Sequence, residues 1–89
     1  MIRRTVTISN KLGLHARASA KLTKLAGGFQ SEVFMTRNAR RVNAKSIMGV
    51  MMLAAGMGAE VEIEIEGSDE QLAMDAIVAL IDDKFGEGQ

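Results

Sequence analysis

The chain has no cysteine, no tryptophan and no tyrosine among its 89 residues, and only three phenylalanines. Without cysteine, neither a disulfide nor a thiolate metal site can form. With so few aromatic rings, the protein offers little on which nucleic-acid bases could stack. Its formal net charge is zero, so the charge of the whole chain does not favour a nucleic-acid or membrane partner either.

Long hydrophobic runs are also missing. Residues 1–10 contain no apolar segment of the kind that signal peptides carry, and no run in the chain is long enough to span a bilayer. We therefore expect a cytoplasmic protein. Its length suits a single domain, residues 1–89, and because nothing in the sequence suggests an obligate interface, we expect a monomer.

Hydrophobic periodicity predicts four strands and three helices in the order β-α-β-β-α-β-α. The strands are predicted at residues 3–9, 32–37, 40–43 and 60–66, and the helices at 16–26, 46–53 and after 68. Asn38 and Ala39 are predicted to form the turn of a hairpin. Ser68 and Gln71 have the spacing of a capping box. The apolar stripe predicted for the last helix comprises Leu72, Ala73, Ala76, Ile77, Leu80 and Ile81, and residues 86–89 are expected to fray.

The segment EVEIEIE, residues 60–66, indicates how the sheet is covered. Val61, Ile63 and Ile65 point to one face and the glutamates to the other. We interpret these glutamates as a solvated face rather than a metal site, because like charges without other donors favour separation. One apolar sheet face predicts an α+β fold: a two-layer open-faced sandwich whose four-stranded antiparallel sheet carries all three helices on one face.

The single histidine, His15, precedes the first turn of the predicted helix 16–26. The free backbone N–H groups there carry partial positive charge and stabilise an anion. Arg17 adds a guanidinium suited to phosphate oxygens, and Gly13 allows close backbone approach. These surroundings predict a lowered imidazole pKa, and hence a neutral nucleophile that coincides with an anion site.

A simpler interpretation competes with this one. A lone histidine beside a helix start is more often a surface or capping residue, and the residues alone favour that interpretation. A metal site is weaker still, because no second histidine or cysteine could complete it.

The second predicted helix, residues 46–53, is rich in methionine. Ser46 is expected to cap it, which alone explains a serine at that position. Its apolar side chains are too numerous for one buried face, so some should form an exposed patch that marks an interaction site.

Two motifs resemble one family. GLHAR, residues 13–17, resembles the active site of HPr, the histidine-containing phosphocarrier protein of the phosphoenolpyruvate-dependent phosphotransferase system. KSIMGVM, residues 45–51, resembles the regulatory serine region of the same family. The resemblance covers essentially the whole chain. It implies that His15 accepts a phosphoryl group, through Nδ1, from phosphorylated enzyme I, and passes it to the A domain of an enzyme II or to a regulatory relative. The protein would then be a stoichiometric carrier, not an enzyme, and would need no cofactor because the group comes ultimately from phosphoenolpyruvate.

The resemblance also implies roles for other residues. Arg17 would stabilise the phosphate, and Ser46 would be a regulatory phosphorylation site where a matching HPr kinase/phosphorylase exists. Arg17, Lys24 and Lys45 would form a basic rim. Partner contacts are implied at Ala16, Ala20, Lys24, Lys45, Ile47, Met48 and Met51.

One position departs from the family. Most members have proline after the arginine, where this chain has Ala18. Since proline presets φ in a first helical turn, alanine predicts a less rigid helix start with function retained.

Two other functions stay open as alternatives. The first is a noncatalytic regulatory module that binds a protein through the methionine-rich patch and is never phosphorylated on His15. The second is a small nucleic-acid-binding domain with Arg37, Arg40 and Arg41 clustered at its hairpin, against which the neutral charge and missing aromatics argue.

Overall fold

A four-stranded antiparallel sheet forms one layer of the protein, in a computed structural model that describes residues 1–88. Its strands lie in the order β1-β4-β2-β3, with bounds β1 Ile2–Thr7, β2 Glu32–Arg37, β3 Arg40–Asn43 and β4 Glu60–Glu66. Three helices form the other layer: α1 Ala16–Gly27, α2 Ile47–Met52 and α3 Glu70–Asp82. One 3₁₀ turn, Lys84–Gly86, follows α3. The predicted element order and open-faced α+β fold are confirmed.

Strand β4 supplies the centre of the core. It pairs with β1 on one side and β2 on the other, and Val61, Ile63 and Ile65 are completely buried on its helix-facing side. On the opposite side the prediction of solvated glutamates is wrong for Glu64, which is 8% exposed. Arg3 and Arg41 cover its carboxylate, with N–O distances of 3.3 and 3.5 Å. The two guanidinium groups therefore stabilise a carboxylate at this central, largely buried position.

The predicted hairpin joins β2 to β3 through Asn38 and Ala39. Their φ angles are 51° and 65°, as a tight two-residue connection between right-twisted strands requires. Asparagine tolerates this left-handed region, whereas alanine is strained in it. Pairing across the two strands therefore holds Ala39 in a conformation that its own preferences oppose.

The predicted capping box of α3 is wrong. The residue that caps the helix is Asp69 rather than Ser68, and it makes no side-chain bond to its own helix. Its carboxylate instead accepts hydrogen bonds from the backbone N–H of Gln30 and Ser31, at 2.9 and 3.0 Å, and from the Ser31 hydroxyl. Because these donors precede β2, the carboxylate ties the start of the last helix to the sheet.

The apolar stripe predicted for α3 is also displaced. Leu72 is 68% exposed, so its placement in the core is wrong. The buried residues of the helix are Ala73, Met74, Ile77, Val78 and Ile81. The observed buried stripe is therefore rotated about the helix axis from the predicted one, which leaves Leu72 facing solvent.

The chain after α3 packs against the domain, and the fraying predicted for residues 86–89 is wrong at Gly86 and Glu87, which are hydrogen-bonded. Phe85 is completely buried, and its carbonyl accepts a hydrogen bond of 2.6 Å from Lys21 Nζ in α1. Residue 89 lies outside the described part of the chain. Across residues 1–88, none of the helices combines the length and the apolar character needed to traverse a membrane.

Candidate functional site around His15

The approach to α1 is fixed by Gly13. Its φ is +65°, and a Cβ built there would lie 2.3 Å from the Ala55 carbonyl oxygen and 2.6 Å from the Gly56 Cα. The next residue, Leu14, donates its N–H to that same Ala55 carbonyl at 2.9 Å. Only glycine tolerates both the left-handed φ and the close approach. The close backbone approach predicted at Gly13 is therefore its approach to Ala55 and Gly56.

His15 is the N-cap residue of α1, as predicted. Its backbone is extended, with φ −72° and ψ 178°, and its side chain makes no capping bond. The first helical hydrogen bond runs from Ser19 N–H to the His15 carbonyl at 2.8 Å. The three N–H groups before Ser19 therefore have no intrahelical acceptor. With no acidic residue in this first turn, the helix start favours an anion.

A carboxylate that sequence patterns did not indicate completes the site. Glu87 Oε2 lies 2.5 Å from His15 Nε2, and Glu87 Oε1 accepts a 2.9 Å hydrogen bond from Asn10 Nδ2. The same Asn10 amide donates to the Gly13 carbonyl at 2.8 Å. The bond from Asn10 holds the pKa of the Glu87 carboxyl below its usual value, with a smaller contribution from His15. The predicted positive surroundings of His15 therefore also include one carboxylate, that of Glu87.

This contact decides how the imidazole presents its two nitrogens. An ionised carboxylate can only accept, so Nε2 must carry the hydrogen. In a neutral ring the lone pair then resides on Nδ1. The arrangement offers a nucleophilic nitrogen beside a helix N-terminus that accommodates negative charge.

A shallow depression of about 310 Å³ surrounds the ring. It is lined by Lys11, Leu12, His15, Arg17, Gly86 and Glu87. Arg17 is exposed at the first turn of α1, where a guanidinium can meet an anion. Within residues 1–88, no three His, Cys, Asp or Glu side chains are grouped so that they could hold a metal ion.

Ala18, the departure from the family pattern, is completely buried in this first turn. It packs in the main core with Leu22 of the same helix. Its methyl group therefore contributes to holding α1 on the sheet. Ala16 and Ala20, predicted as partner contacts, are exposed on the same helix.

Ser46 caps α2, as predicted, because its hydroxyl oxygen accepts a hydrogen bond of 3.1 Å from Gly49 N–H. Beyond it, Val50 and Leu53 turn into the core. The exposed apolar residues of α2 form what we call the methionine patch: Ile47, Met48, Met51 and Met52, with exposures of 45%, 71%, 39% and 56%. The exposed patch expected from the sequence is present.

All three residues of the predicted basic rim, Arg17, Lys24 and Lys45, are exposed. Arg17 and Lys24 lie seven residues apart on α1, or roughly 10 Å along its axis. Only Arg17 lines the His15 depression. Lys24 lines a separate apolar groove with Phe29, and Lys45 Nζ donates to the Phe29 carbonyl at 2.9 Å. Lys24 and Lys45 are therefore both placed beside Phe29, and neither lines the depression around His15.

Comparison with known proteins agrees with this geometry. The family model described as "PTS HPr component phosphorylation site" matches residues 2–83. The chain is 67% identical over 89 residues to the phosphocarrier protein HPr of Cupriavidus necator, covering all of both chains. It superposes on HPr-C-His of Thermoanaerobacter tengcongensis with a TM-score of 0.94 and 45% identity, covering 98% of each chain. A structure of an HPr dimer from the same organism matches with a TM-score of 0.79 and 45% identity, covering 98% of this chain and all of that one.

Proposed function

The chain belongs to the HPr family of the phosphotransferase system, and we propose that it carries a phosphoryl group on His15. It accepts the group from phosphorylated enzyme I and delivers it to the A domain of an enzyme II or to a regulatory relative. The observation that carries this proposal is the engagement of His15 Nε2 by Glu87 at the open N-terminus of α1. That contact leaves Nδ1 as the nucleophile, next to groups that stabilise a phosphate.

The transfer is a single displacement at phosphorus. The lone pair of Nδ1 forms the new N–P bond while the bond between phosphorus and the donor atom breaks, and the donor retains that electron pair. Arg17 and the free N–H groups of the first helical turn stabilise the negative charge of the phosphoryl oxygens. Delivery to the acceptor reverses these roles, so the protein is a stoichiometric carrier. In this proposal it acts as a monomer in the cytoplasm and needs no cofactor.

The methionine patch is the docking surface in this proposal. Its exposed, flexible side chains suit a surface that must accommodate several partners. Ser46 is exposed beside the patch, and a phosphate added there by an HPr kinase/phosphorylase would place negative charge at the edge of the docking surface. Lys24 and Lys45 would meet acidic groups at the rim of a partner.

The same patch favours the second candidate function, that of a regulatory module that binds a protein and in which His15 is never phosphorylated. The two functions differ in which residue is indispensable. A carrier needs the imidazole of His15, whereas a binding module needs only the patch.

Intact-mass spectrometry after incubation with enzyme I, Mg²⁺ and phosphoenolpyruvate tests the proposal. We expect the gain of one acid-labile phosphoryl group in the wild-type protein and none in a folded His15→Ala variant. Met48→Ala should still be phosphorylated, with kcat/KM for enzyme I lower by about fivefold because an exposed docking side chain is removed.

Met57→Ala is the matched control for Met48→Ala, because Met57 is 65% exposed but lies outside the patch. It should behave as the wild type does. No phosphoryl gain by the wild-type protein, with an enzyme I shown to phosphorylate itself, would rule out the carrier and favour the binding module.

A further inference from the structure

Three consecutive residues after α3 adopt left-handed backbone conformations. Lys84, Phe85 and Gly86 have φ angles of 54°, 55° and 73°. For lysine and phenylalanine this region is unfavourable, and such conformations persist where surrounding contacts enforce them. They turn the chain back from the end of α3 toward the start of α1.

Contacts on both sides hold this turn in place. The Phe85 side chain is completely buried in the main core, and Lys21 Nζ donates to the Phe85 carbonyl. Within the turn, Glu87 N–H donates to the Lys84 carbonyl at 2.9 Å. The buried ring of Phe85, two residues earlier, therefore fixes the position of Glu87.

At that position the Glu87 side chain is 14% exposed and bonded at both oxygens, by Asn10 and by His15, whose side chain is 26% exposed. From this geometry we infer that Glu87 is a positioning residue for phosphoryl transfer, an inference that rests on the proposed carrier function. It accepts a hydrogen bond from Nε2–H and so orients the His15 ring with Nδ1 outward. Its negative charge stabilises the positive charge that the ring gains during the reaction.

The charge balance of the step gives the carboxylate its role. When neutral Nδ1 forms the N–P bond, Nε2 keeps its hydrogen and the ring becomes an imidazolium. A carboxylate bonded to Nε2–H stabilises that cation, as the carboxylate of a catalytic triad stabilises its imidazolium. When the phosphoryl group leaves, the N–P electron pair returns to Nδ1 and the ring is neutral again. No proton needs to move at either step.

The charged groups around Glu87 support an ionised carboxylate throughout. Lys21 of α1 acts favourably on it, and Lys11 and Arg17 line the same depression. Because the pKa of Glu87 is lowered, this acceptor persists in mild acid. Its removal should make the phosphorylated ring harder to protonate.

Glu87→Gln tests the inference, with Asp82→Asn as the matched control, since Asp82 is an exposed carboxylate at the end of α3. Two kinetic quantities are measured on the full-length variants. The first is the initial rate of phosphorylation by enzyme I, and the second is the pH profile of phosphoryl loss from the isolated phosphoprotein. ¹⁵N NMR of the unphosphorylated imidazole reports the protonated nitrogen independently of either.

We expect Glu87→Gln to be phosphorylated on His15 about fivefold more slowly, the equivalent of about one hydrogen bond. Its profile of phosphoryl loss should be displaced to lower pH, and the Nε2–H form of the neutral ring should be less populated. Asp82→Asn should match the wild type in all three. A Glu87→Gln variant that also matches the wild type in rate and profile would overturn the inference. Absence of phosphorylation in the wild type would instead refute the carrier function, while the NMR comparison would still test the contact.

Discussion

Replacement of Gly13 by alanine should destabilise the protein by about 3 kcal/mol. Holding a non-glycine residue at the φ of +65° costs about 1–2 kcal/mol. The new Cβ would lie 2.3 Å from the Ala55 carbonyl oxygen, and backbone atoms cannot rotate away as a side chain would. Separating the two segments stretches the Leu14–Ala55 hydrogen bond, which contributes about 1 kcal/mol.

Urea unfolding followed by circular dichroism measures this loss. Gly27→Ala is the matched control, because no atom lies within 4 Å of a Cβ built at Gly27 and the residue ends α1. That variant should equal the wild type or exceed its stability by up to about 1 kcal/mol. Gly13→Ala should also slow phosphorylation of His15, two residues away. Equal unfolding midpoints for the two variants would refute the reasoning about close approach.

Two further substitutions test contacts that tie α3 and the C-terminal turn to the domain. The Ser31 hydroxyl, followed by the backbone of Gln30, lowers the pKa of Asp69 below its ordinary value of 3.8. The ionised carboxylate therefore stabilises the fold above that value, and this contribution is lost as pH falls through the lower folded pKa. The stability advantage of the wild type over Asp69→Asn should shrink in that acid range, and a constant advantage across it would contradict the assignment. Phe85→Ala should cost about 3–5 kcal/mol in urea unfolding and should slow His15 phosphorylation by releasing Glu87, whereas an unchanged midpoint would show that the ring is not needed.

Local patterns were sufficient for most of the fold. The alternation in residues 60–66 is sufficient to predict β4, because its three apolar side chains all point to the same, buried face of the sheet. The Asn38–Ala39 turn and the Ser46 cap depend on residues within a few positions, so the sequence signal and the structural cause lie in the same segment.

The errors arise where distant contacts override a local signal. Ser68 and Gln71 satisfy the capping pattern, yet Asp69 is held by the backbone of Gln30 and Ser31, which fixes where α3 begins. Such donors lie almost forty residues away and leave no trace in the local pattern. Leu72 fits an apolar stripe by spacing alone, but the face that packs on the sheet is the one that carries Ala73, Ile77 and Ile81.

Glu87 was missed for a related reason. A glutamate between two glycines near the end of a chain is typical of a frayed tail. Its position depends instead on Phe85 being buried in a left-handed conformation, which neither aromatic nor glycine patterns indicate. His15 and Arg17 stand in one contiguous motif that the sequence displays directly, whereas the carboxylate bonded to His15 is 72 residues away.

The loop after α2 connects the methionine patch to the segment that carries His15. Arg37 Nη1 donates to the Leu53 carbonyl at 3.0 Å and to the Ala54 carbonyl at 3.3 Å, which fixes this loop to the sheet. The next carbonyl, that of Ala55, receives Leu14 N–H, immediately before His15. The distance from the methionine patch to His15 is therefore set by hydrogen-bonded backbone rather than by a flexible connection. In the proposed relay, a partner that docks on the patch meets the imidazole already positioned, so that little ordering entropy opposes transfer.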